Sequence, residues 1–562
     1  MIAASVLSHL VSATVFLPLV TGIGLFLASS VYRIATRAPG LPPSVWRAVA
    51  LTGSTLTFLL ALFGLFGRFD PEATGYQLVE RAPWIPAYGI YYFVGVDGIS
   101  LVLMLMTAFL TPLVLLATWN DMLRSLRKYL FFVLVLETAL LGSFASLSLF
   151  QFYFFWELML VPMFFVIGIF GGARRVQAAT RLFVSSFVGS TALLTACVIL
   201  YQINFEQGGV LNFDLVRAPT ADPDATDLPL LATVIAPNGA LGASWWQTQP
   251  WLFAAFAFAF GIRLPIFALH AWLPDAQVEA PTGGSVLLAA VLLKTGGYGL
   301  LRFALPLFPV AASEFVPLMF GLGLTAIVVG ALVARVQTDM KRVVAYVSIA
   351  QAGFVLLGLF ALNLQGVTGA VLQLLNLGLS TAALFMLIGF IHRRRNAREL
   401  AAFGGLAKPM PVFAALLAVV VMSSIGVPAL NGFVGEFLIL LGTFGASPWV
   451  AVGATVGFVL VAAALLSMYR EVVFGPLDKP ENRGLTDLDL REKAVVLALI
   501  APMLWIGVYP TPLLRRIEPS VSVLLQDREL HIAHSRVQLE RIAAERDAWT
   551  AAAEAQTEAD PK

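Results

Sequence analysis

Five ionisable side chains lie within strongly apolar stretches of this 562-residue sequence: Glu137, Glu157, Arg263, Lys294 and Glu436. A charged group in the hydrocarbon core of a bilayer is costly, so such residues are rare in membrane segments and usually line an ion or proton path. The alternative is that each forms a static ion pair that locks two helices together. Because the five lie on separate segments and carry both signs of charge, an ion or proton path is the better interpretation.

Two of these side chains lie beside helix-breaking residues. In GIRLPIFALHAWLPDA (261–276), Pro265 follows Arg263 by two residues. In SSIGVPALNGFVGEF (423–437), three glycines and a proline precede Glu436. Proline removes a backbone donor and clashes with the preceding helical turn, which a membrane tolerates only where protein or water satisfies the freed carbonyl groups. A packing kink would explain either break alone, but two breaks in corresponding halves predict an inverted-repeat transporter.

The elements that must position these residues are membrane helices. Hydrophobic residues make up 59% of the chain and charged residues only 12%, against about 25% charged residues in soluble domains. A spanning helix needs about 20 mostly apolar residues. On this criterion we predict fourteen membrane segments, numbered in chain order, at residues 5–30, 46–67, 97–118, 129–147, 149–171, 180–204, 250–273, 283–304, 314–334, 343–362, 365–391, 410–441, 448–469 and 493–513.

The distribution of basic residues supports this prediction, because loops on the cytoplasmic side of a membrane are enriched in lysine and arginine. Most loops that follow odd-numbered segments contain several basic residues, whereas the loops after even-numbered segments contain only Arg68, Arg81 and Arg217. We therefore expect a multi-pass protein of the bacterial inner membrane, with both termini on the non-cytoplasmic side.

The predicted fold is an all-α polytopic membrane protein built from a duplicated unit. Segments 4–8 and 9–13 align as two inverted five-helix repeats, which places the broken segment 7 opposite the broken segment 12. We expect an irregular loop at 205–248 and a solvated helix in the tail. The predicted parts of the chain are 1–128 (segments 1–3), 129–304 (first repeat), 305–475 (second repeat), 476–515 (segment 14) and 516–562 (polar C-terminal tail).

The sequence gives no indication of a soluble enzyme or of a metal centre. Cys197 is the only cysteine, and His531 and His534, a close histidine pair, lie in the polar tail. A net charge of +2 gives no reason to expect nucleic-acid binding. The loops contain no dinucleotide fingerprint, P-loop or nucleophile motif. We therefore expect neither a cofactor nor a metal ion in this chain, and any redox chemistry must belong to partner subunits.

Several motifs, in order along the chain, resemble those of one family of membrane proteins. They are VGVDGISLVLMLMTAFLTPL (94–113), FYFFWELMLVPMF (152–164), LHAWLPDAQVEAPTGGSVLLAAVLLKTGGYGLLRF (269–303), TDMKRVVAYVSIAQAGF (338–354) and NGFVGEFLIL (431–440). In these motifs the chain is similar to the subunit M (chain 4) family of the proton-pumping NADH:quinone oxidoreductase, respiratory complex I. This family belongs to an antiporter-like group shared with Mrp-type cation/proton antiporters. The resemblance covers most of the chain and leaves out the tail.

The resemblance implies that three residues carry protons. The family's half-channel glutamate corresponds to Glu157, its central lysine to Lys294, and the outlet glutamate of its broken segment 12 to Glu436. Four further polar side chains are candidates for the same path: Glu137, His270, Gln351 and Asn376.

Several positions depart from the family pattern. The lysine that the family pairs with its half-channel glutamate is replaced by Arg263, which we expect to hold Glu157 ionised through a bidentate pair. Arginine keeps its proton in essentially all protein settings, so Arg263 can act only as a fixed positive charge. Neutral residues replace three histidines and an aspartate of the family, at Gln277, Gln351, Leu377 and Ser148.

The resemblance also implies a function and partners. The chain would be an antiporter-like membrane-arm subunit of a translocase, moving protons while quinone is reduced elsewhere in the complex. It would have other antiporter-like subunits as neighbours, and NADH, FMN, iron–sulfur clusters and quinone would bind partner subunits. Two alternatives stay open. One is a non-pumping structural or regulatory subunit of such a complex, and the other is a subunit of an Mrp-type antiporter, a membrane-bound hydrogenase or an inorganic-carbon uptake complex.

Overall fold

A computed structural model describes residues 9–37, 40–121, 125–208, 212–216, 230–231 and 241–559 of the chain. Within these residues the chain is helical apart from one two-stranded hairpin and a few isolated bridges. The hairpin pairs β1 (Gln77–Ile85) with β2 (Ile90–Val96) in antiparallel register. The predicted all-α class missed this hairpin, because a search for membrane segments does not register short strands in a connecting loop.

The helices of the first half follow the order of the predicted segments. They are α1 (Leu10–Thr36), α2 (Pro43–Leu59, continued by a π-helical turn at Leu60–Phe66), α3 (Gly98–Ala117), α4 (Leu126–Ala145), α5 (Leu149–Leu158), α6 (Leu160–Phe170), α7 (Arg175–Gly208), α8 (Leu241–Arg263) and α9 (Leu273–Glu279). The loop predicted at 205–248 is therefore helical at both ends. Most of its middle lies outside the described residues.

Segment 8 is a series of short helices, α10 (Thr282–Leu287), α11 (Lys294–Gly299) and α12 (Leu305–Leu307), separated by π-helical turns at Leu288–Leu292 and Leu300–Ala304. The remaining helices are α13 (Pro309–Glu314), α14 (Val316–Arg335), α15 (Met340–Phe360), α16 (Leu364–Arg395), α17 (Pro411–Ser424), α18 (Asn431–Ala446), α19 (Pro448–Phe474), α20 (Pro480–Arg483), α21 (Leu490–Val508) and α22 (Thr511–Ala559). The predicted boundary between residues 515 and 516 falls inside α22.

Eleven helices among the described residues are long and apolar enough to cross a membrane, or twelve if α21 and the first part of α22, which meet at 71°, form one span. The chain is therefore a mostly helical, multi-pass membrane protein. Predicted segments 7 and 12 are not among these helices, because the structure divides each of them into two pieces.

Both breaks predicted from the sequence are present. α8 ends at Arg263 and α17 ends at Ser424, and each is followed by several non-helical residues. In each break the fifth residue after the helix is an alanine with positive φ, 74° at Ala268 and 71° at Ala429. Residues other than glycine seldom adopt this conformation. The shared geometry indicates that the two breaks are built in the same way.

The helix α16 forms the centre of the packing around both breaks. It contacts α10, α15, α17 and α18, and all its residues from Gly366 to Ile391 are buried. Side chains that are polar on such a helix cannot reach solvent, so they must find partners on the neighbouring helices.

Candidate functional site

Lys294 is the first residue of α11 and is 5% exposed. The π-helical turn just before it is a feature that often marks functional sites. In the part of the chain that the structure describes, its ammonium group has no hydrogen bond and no carboxylate within 4 Å. A cavity of about 10 Å³ beside it is lined by Leu264, Pro265, Ser348 and Leu377. This volume is near the lower limit for one water molecule, and its lining shows that the break in segment 7 faces Lys294.

Glu436 lies in α18 and is 3% exposed. Its Oε1 accepts a hydrogen bond from Nε2 of Gln373 at 3.1 Å, while its buried Oε2 has no partner among the described residues. A Cβ at Gly426 would lie 2.2 Å from Oε2, and Gly426 has a φ of 65°. Glycine is therefore required here for two reasons, the left-handed backbone and the close approach of the carboxylate.

A buried polar network joins α16 to both halves of segment 12. Nδ2 of Asn376 donates to Oε1 of Gln373 at 3.3 Å and to the carbonyl of Asn431 at 2.7 Å. Nδ2 of Asn431 donates back to the carbonyl of Asn376 at 3.2 Å, and Oγ of Ser423 donates to its Oδ1 at 2.5 Å. Gln373 is not among the residues predicted from the sequence. Its position three residues before Asn376, on the same face of an apolar helix, was the available signal.

Each break is stabilised by a side chain that donates to a carbonyl at the end of the preceding helix. Nε2 of Gln351, on α15, donates to the carbonyl of Ser424 at 2.9 Å. Nε1 of Trp272 donates to the carbonyl of Ile262 at 3.0 Å. These carbonyls lack the amide partner that a continuing helix would supply, so the donors satisfy groups that the breaks would otherwise leave unpaired.

Arg263 does not form the expected bidentate pair with Glu157, because no ion pair within 4 Å joins them in the structure. The guanidinium carbon lies 3.7 Å from the centroid of the Trp156 ring, Nη2 donates to the Trp156 carbonyl at 2.8 Å, and Nη1 lies 3.4 Å from the sulfur of Met159. Glu157, the next residue, is half-buried, and its buried Oε1 has no hydrogen-bond partner among the described residues.

Two further candidates lie apart from these groups. Glu137, on α4, is 1% exposed, and neither of its carboxylate oxygens has a hydrogen-bond partner among the described residues. His270 lies in the break of segment 7, half-buried, with its ring 5.7 Å from that of Phe267. Its Nδ1 is buried and has no partner in the described part of the chain. Neither side chain contacts Lys294 or Glu436 through a hydrogen bond.

Five of the predicted residues thus fall into two groups. In the first, Gly296 lets α11 pack directly on the end of α8, since a Cβ there would lie 2.9 Å from the carbonyl carbon of Arg263, and Lys294 faces the same break. In the second, Glu436, Asn376 and Gln351 surround the break in segment 12. No hydrogen bond between described residues connects Lys294 to the second group.

The described residues contain no cluster of three or more His, Cys, Asp or Glu side chains that could hold a metal ion. Cys197 is buried on α7. Of the histidine pair in the tail, the side chain of His534 lies outside the described residues.

Two protein-family models match most of the chain. Residues 146–461 match the model for the membrane domain of NADH:quinone oxidoreductase and Mrp antiporters, and residues 78–143 match that for the amino terminus of NADH-ubiquinone oxidoreductase chain 4. The chain belongs to the NADH:quinone oxidoreductase/Mrp antiporter family. The part that matches the antiporter model contains both breaks and four predicted path residues, Glu157, Arg263, Lys294 and Glu436.

Named relatives of this family match the chain over nearly its whole length. The NADH-quinone oxidoreductase subunit M of Rhodobacter capsulatus is 43% identical over 93% of this chain and 97% of its own length. The subunit M of Rickettsia prowazekii (strain Madrid E) is 36% identical over 92% and 98%, and the NADH-ubiquinone oxidoreductase chain 4 of Marchantia polymorpha is 36% identical over 85% and 92%.

Solved structures of the family share the fold. A chain of respiratory complex I from Thermus thermophilus is 30% identical, with a TM-score of 0.79 over 92% of this chain and 99% of that one. Chains of a membrane-bound sulfane sulfur reductase and of the Mrp complex from Dietzia sp. DQ12-45-1b are 21% and 19% identical, with TM-scores of 0.77 and 0.73. The match to the reductase covers 94% of this chain and 100% of the reductase chain. The match to the Mrp complex covers 97% of this chain and 60% of the Mrp chain. The last two similarities establish the fold alone.

Proposed function

We propose that this chain is the antiporter-like subunit M of a proton-translocating NADH:quinone oxidoreductase, and that it moves protons across the membrane while quinone is reduced in other subunits. The observation that carries this proposal is Lys294, a buried lysine without an ion-pair partner among the described residues, placed against a break in a membrane helix. A lysine that only holds helices together would be expected to meet a carboxylate. A lysine left unpaired in such a site is suited to gain and lose a proton.

The proposed path uses four principal residues. Glu157, half-buried on α5, and the fixed positive charge of Arg263 act as the electrostatic switch. Lys294 stores a proton, and Glu436 passes it to the outlet. One oxygen of Glu436 is held by Gln373, so the other is left to accept a proton from water. Water must bridge the space between Lys294 and Glu436, because no hydrogen-bonded side chains of the described residues connect them.

We extend the proposal to topology and location. Fourteen membrane crossings, with inverted repeats at 129–304 and 305–475, are supported by the matching alanines Ala268 and Ala429 in the two breaks. The basic loops favour a cytoplasmic location for the start of α15 and the turn between α9 and α10. Both termini would then lie on the opposite side of a bacterial inner membrane. Redox cofactors would bind partner subunits, and other antiporter-like subunits would be the neighbours in the membrane.

The proposal is tested by reconstituting the purified complex into liposomes and measuring the number of protons translocated per electron. We expect Lys294→Ala and Glu436→Gln each to lower this ratio. Matched controls are Lys408→Ala and Glu471→Gln, whose side chains are exposed, and we expect both to leave the ratio unchanged. Wild-type ratios and wild-type quinone reduction in both site variants would contradict the proposal.

A second candidate function is a non-pumping structural subunit of the same complex. It is favoured by Leu377, which is 4% exposed and lines the small cavity beside Lys294 where the family places a histidine. An apolar side chain cannot hold water in a relay. In this case the complex would need the chain for assembly, while Lys294→Ala would leave the proton-to-electron ratio unchanged. The same experiment therefore separates the two functions.

A further inference from the structure

Lys341, in the first turn of α15, is a second buried lysine without a carboxylate partner. Its backbone amide is held by the helix cap Asp339 at 2.8 Å, but its side chain points into the protein and the residue is 3% exposed. Nζ donates to the carbonyl of Ala280 at 2.8 Å and to Oγ of Ser285 at 3.0 Å. No carboxylate of the described residues lies within 4 Å of Nζ. Lysine is almost never fully buried unless it is paired, so this placement calls for an explanation.

Ser285 links Lys341 to the backbone of Gln277 on α9. Oγ of Ser285 donates to the backbone carbonyl of Gln277 at 2.8 Å. The side chain of Gln277 is fully buried, and neither its amide nitrogen nor its amide oxygen has a partner among the described residues. An amide buried without hydrogen bonds costs free energy. Such a group is well suited to hold ordered water, which supplies the missing partners.

A continuous face of α15 leads from Lys341 towards Lys294. Ser348 is seven residues after Lys341, so the two lie on the same face of the helix, about 10 Å apart along its axis. Ser348 is buried and lines the cavity beside Lys294, and Ala352 on the next turn lines it as well. α15 thus meets segment 8 beside a buried lysine in two places, at Lys341 through Ser285 and at Lys294 through Ser348.

Arg398 bridges α9 and the cap residue of α15. Nη1 of Arg398 donates to the carbonyl of Val278 at 2.6 Å, and its Nε lies 3.5 Å from Oδ2 of Asp339. The side chain of Arg398 is 27% exposed. This positive charge therefore lies partly exposed beside the turn of α15 that carries Lys341.

We propose that Lys341, Gln277, Ser285 and Ser348 form the proton inlet of this subunit. The inference rests on the proposed function and adds to it the residues that supply Lys294. The neutral amine of Lys341 takes a proton from water on the cytoplasmic side and becomes an ammonium group. The ammonium group gives the proton to water held near Gln277 and Ser348, and the amine of Lys294 accepts it. Lys341 returns to its starting form, so the step consumes nothing but the transported proton.

Substitutions at two positions distinguish an inlet from a purely structural anchor. Lys341→Arg keeps donors for Ala280 and Ser285 but cannot release its proton. Gln277→Leu replaces an unsatisfied buried amide with an apolar side chain of similar size, which a structural role predicts to be neutral or stabilising. We expect both variants to assemble, to reduce quinone, and to lower the proton-to-electron ratio as far as Lys294→Ala does. Lys408→Met, which removes an exposed lysine, is the control and should leave the ratio unchanged.

The outcomes distinguish a failure of the inlet proposal from a failure of the proposed function. Wild-type ratios in Lys341→Arg and Gln277→Leu, together with a lowered ratio in Lys294→Ala, would overturn the inlet and leave the proposed function standing. Wild-type ratios in all three would overturn the proposed function itself. If Lys341→Arg does not assemble, Gln277→Leu and Ser348→Ala decide the matter, since both remove polar groups without placing a larger side chain in the interior.

Discussion

Segments 7 and 12 are interrupted in the same way, but their charged side chains have different partners. Each has an alanine with positive φ five residues after the helix ends, and each has a side-chain donor on a carbonyl near that end. In segment 7 the guanidinium of Arg263 is covered by the ring, the carbonyl and the sulfur of neighbouring residues. In segment 12, Glu436 has one oxygen bonded to Gln373 and the other without a partner among the described residues.

The difference shows that the break and the charge have separate roles. The break removes backbone hydrogen bonds and opens the helix to polar groups, which is common to both segments. The chemistry of the ionisable group, together with its partners, then decides whether it is a fixed charge or one that can exchange a proton. Arg263 donates from two nitrogens, while its buried Nε has no partner among the described residues, and arginine does not release its proton. Glu436 is also only half satisfied, but its remaining oxygen can bind a proton.

The largest expected effect comes from removing the surface on which Arg263 is seated. Trp156 is 1% exposed, and Trp156→Leu would leave a cavity and a buried guanidinium without its ring. We expect a loss of about 2–4 kcal/mol of stability, measured as earlier release of the subunit when the purified complex is heated. Trp449→Leu, at a residue that is 84% exposed, is the matched control and should have little effect. An equal effect of the two variants would show that Trp156 does not stabilise Arg263.

A smaller stability effect, combined with a loss of transport, is expected at the other break. Gly426→Ala places a Cβ 2.2 Å from the present position of Oε2 of Glu436 and forces an alanine into a φ of 65°. The backbone strain costs about 1–2 kcal/mol, and the carboxylate must move, so the proton-to-electron ratio should fall. Gly321→Ala, on α14, is the control, because a Cβ there has no other atom within 4 Å. Normal transport by Gly426→Ala would show that the position of the Glu436 carboxylate is not critical.

The smallest expected effect tests whether the two breaks are equivalent. Ala268→Gly and Ala429→Gly each relieve the strain of a positive φ but add chain entropy to the unfolded state. These contributions oppose each other, so stability should change by less than about 1 kcal/mol, and by the same amount at both sites. Heating the purified variants side by side would measure this. A clear difference in the stability of the two variants would contradict the similarity of the breaks.

Much of the site could be predicted because isolated charges in apolar segments are conspicuous. Lys294, Glu436 and Arg263 were identified as intramembrane charges, and the structure buries all three. Both breaks were predicted from proline and glycine, whose effects on a helix are local. The hairpin at 77–96 and the polar residue Gln373 were missed. A glutamine in an apolar helix gives no local signal of its function, since its importance comes from the carboxylate opposite it on another helix.

The sequence by itself determined which residues are ionisable, which helices are interrupted, and which loops carry the basic residues, because hydropathy, proline chemistry and charge are properties of short stretches. Only the tertiary structure decided which groups meet. It placed Arg263 on Trp156 in place of the expected Glu157, gave Glu436 a single donor, and turned Lys341 inward from a segment end where a lysine would ordinarily reach solvent. These outcomes depend on the direction of each side chain across a helix interface, which the packing of distant segments fixes and local sequence does not encode.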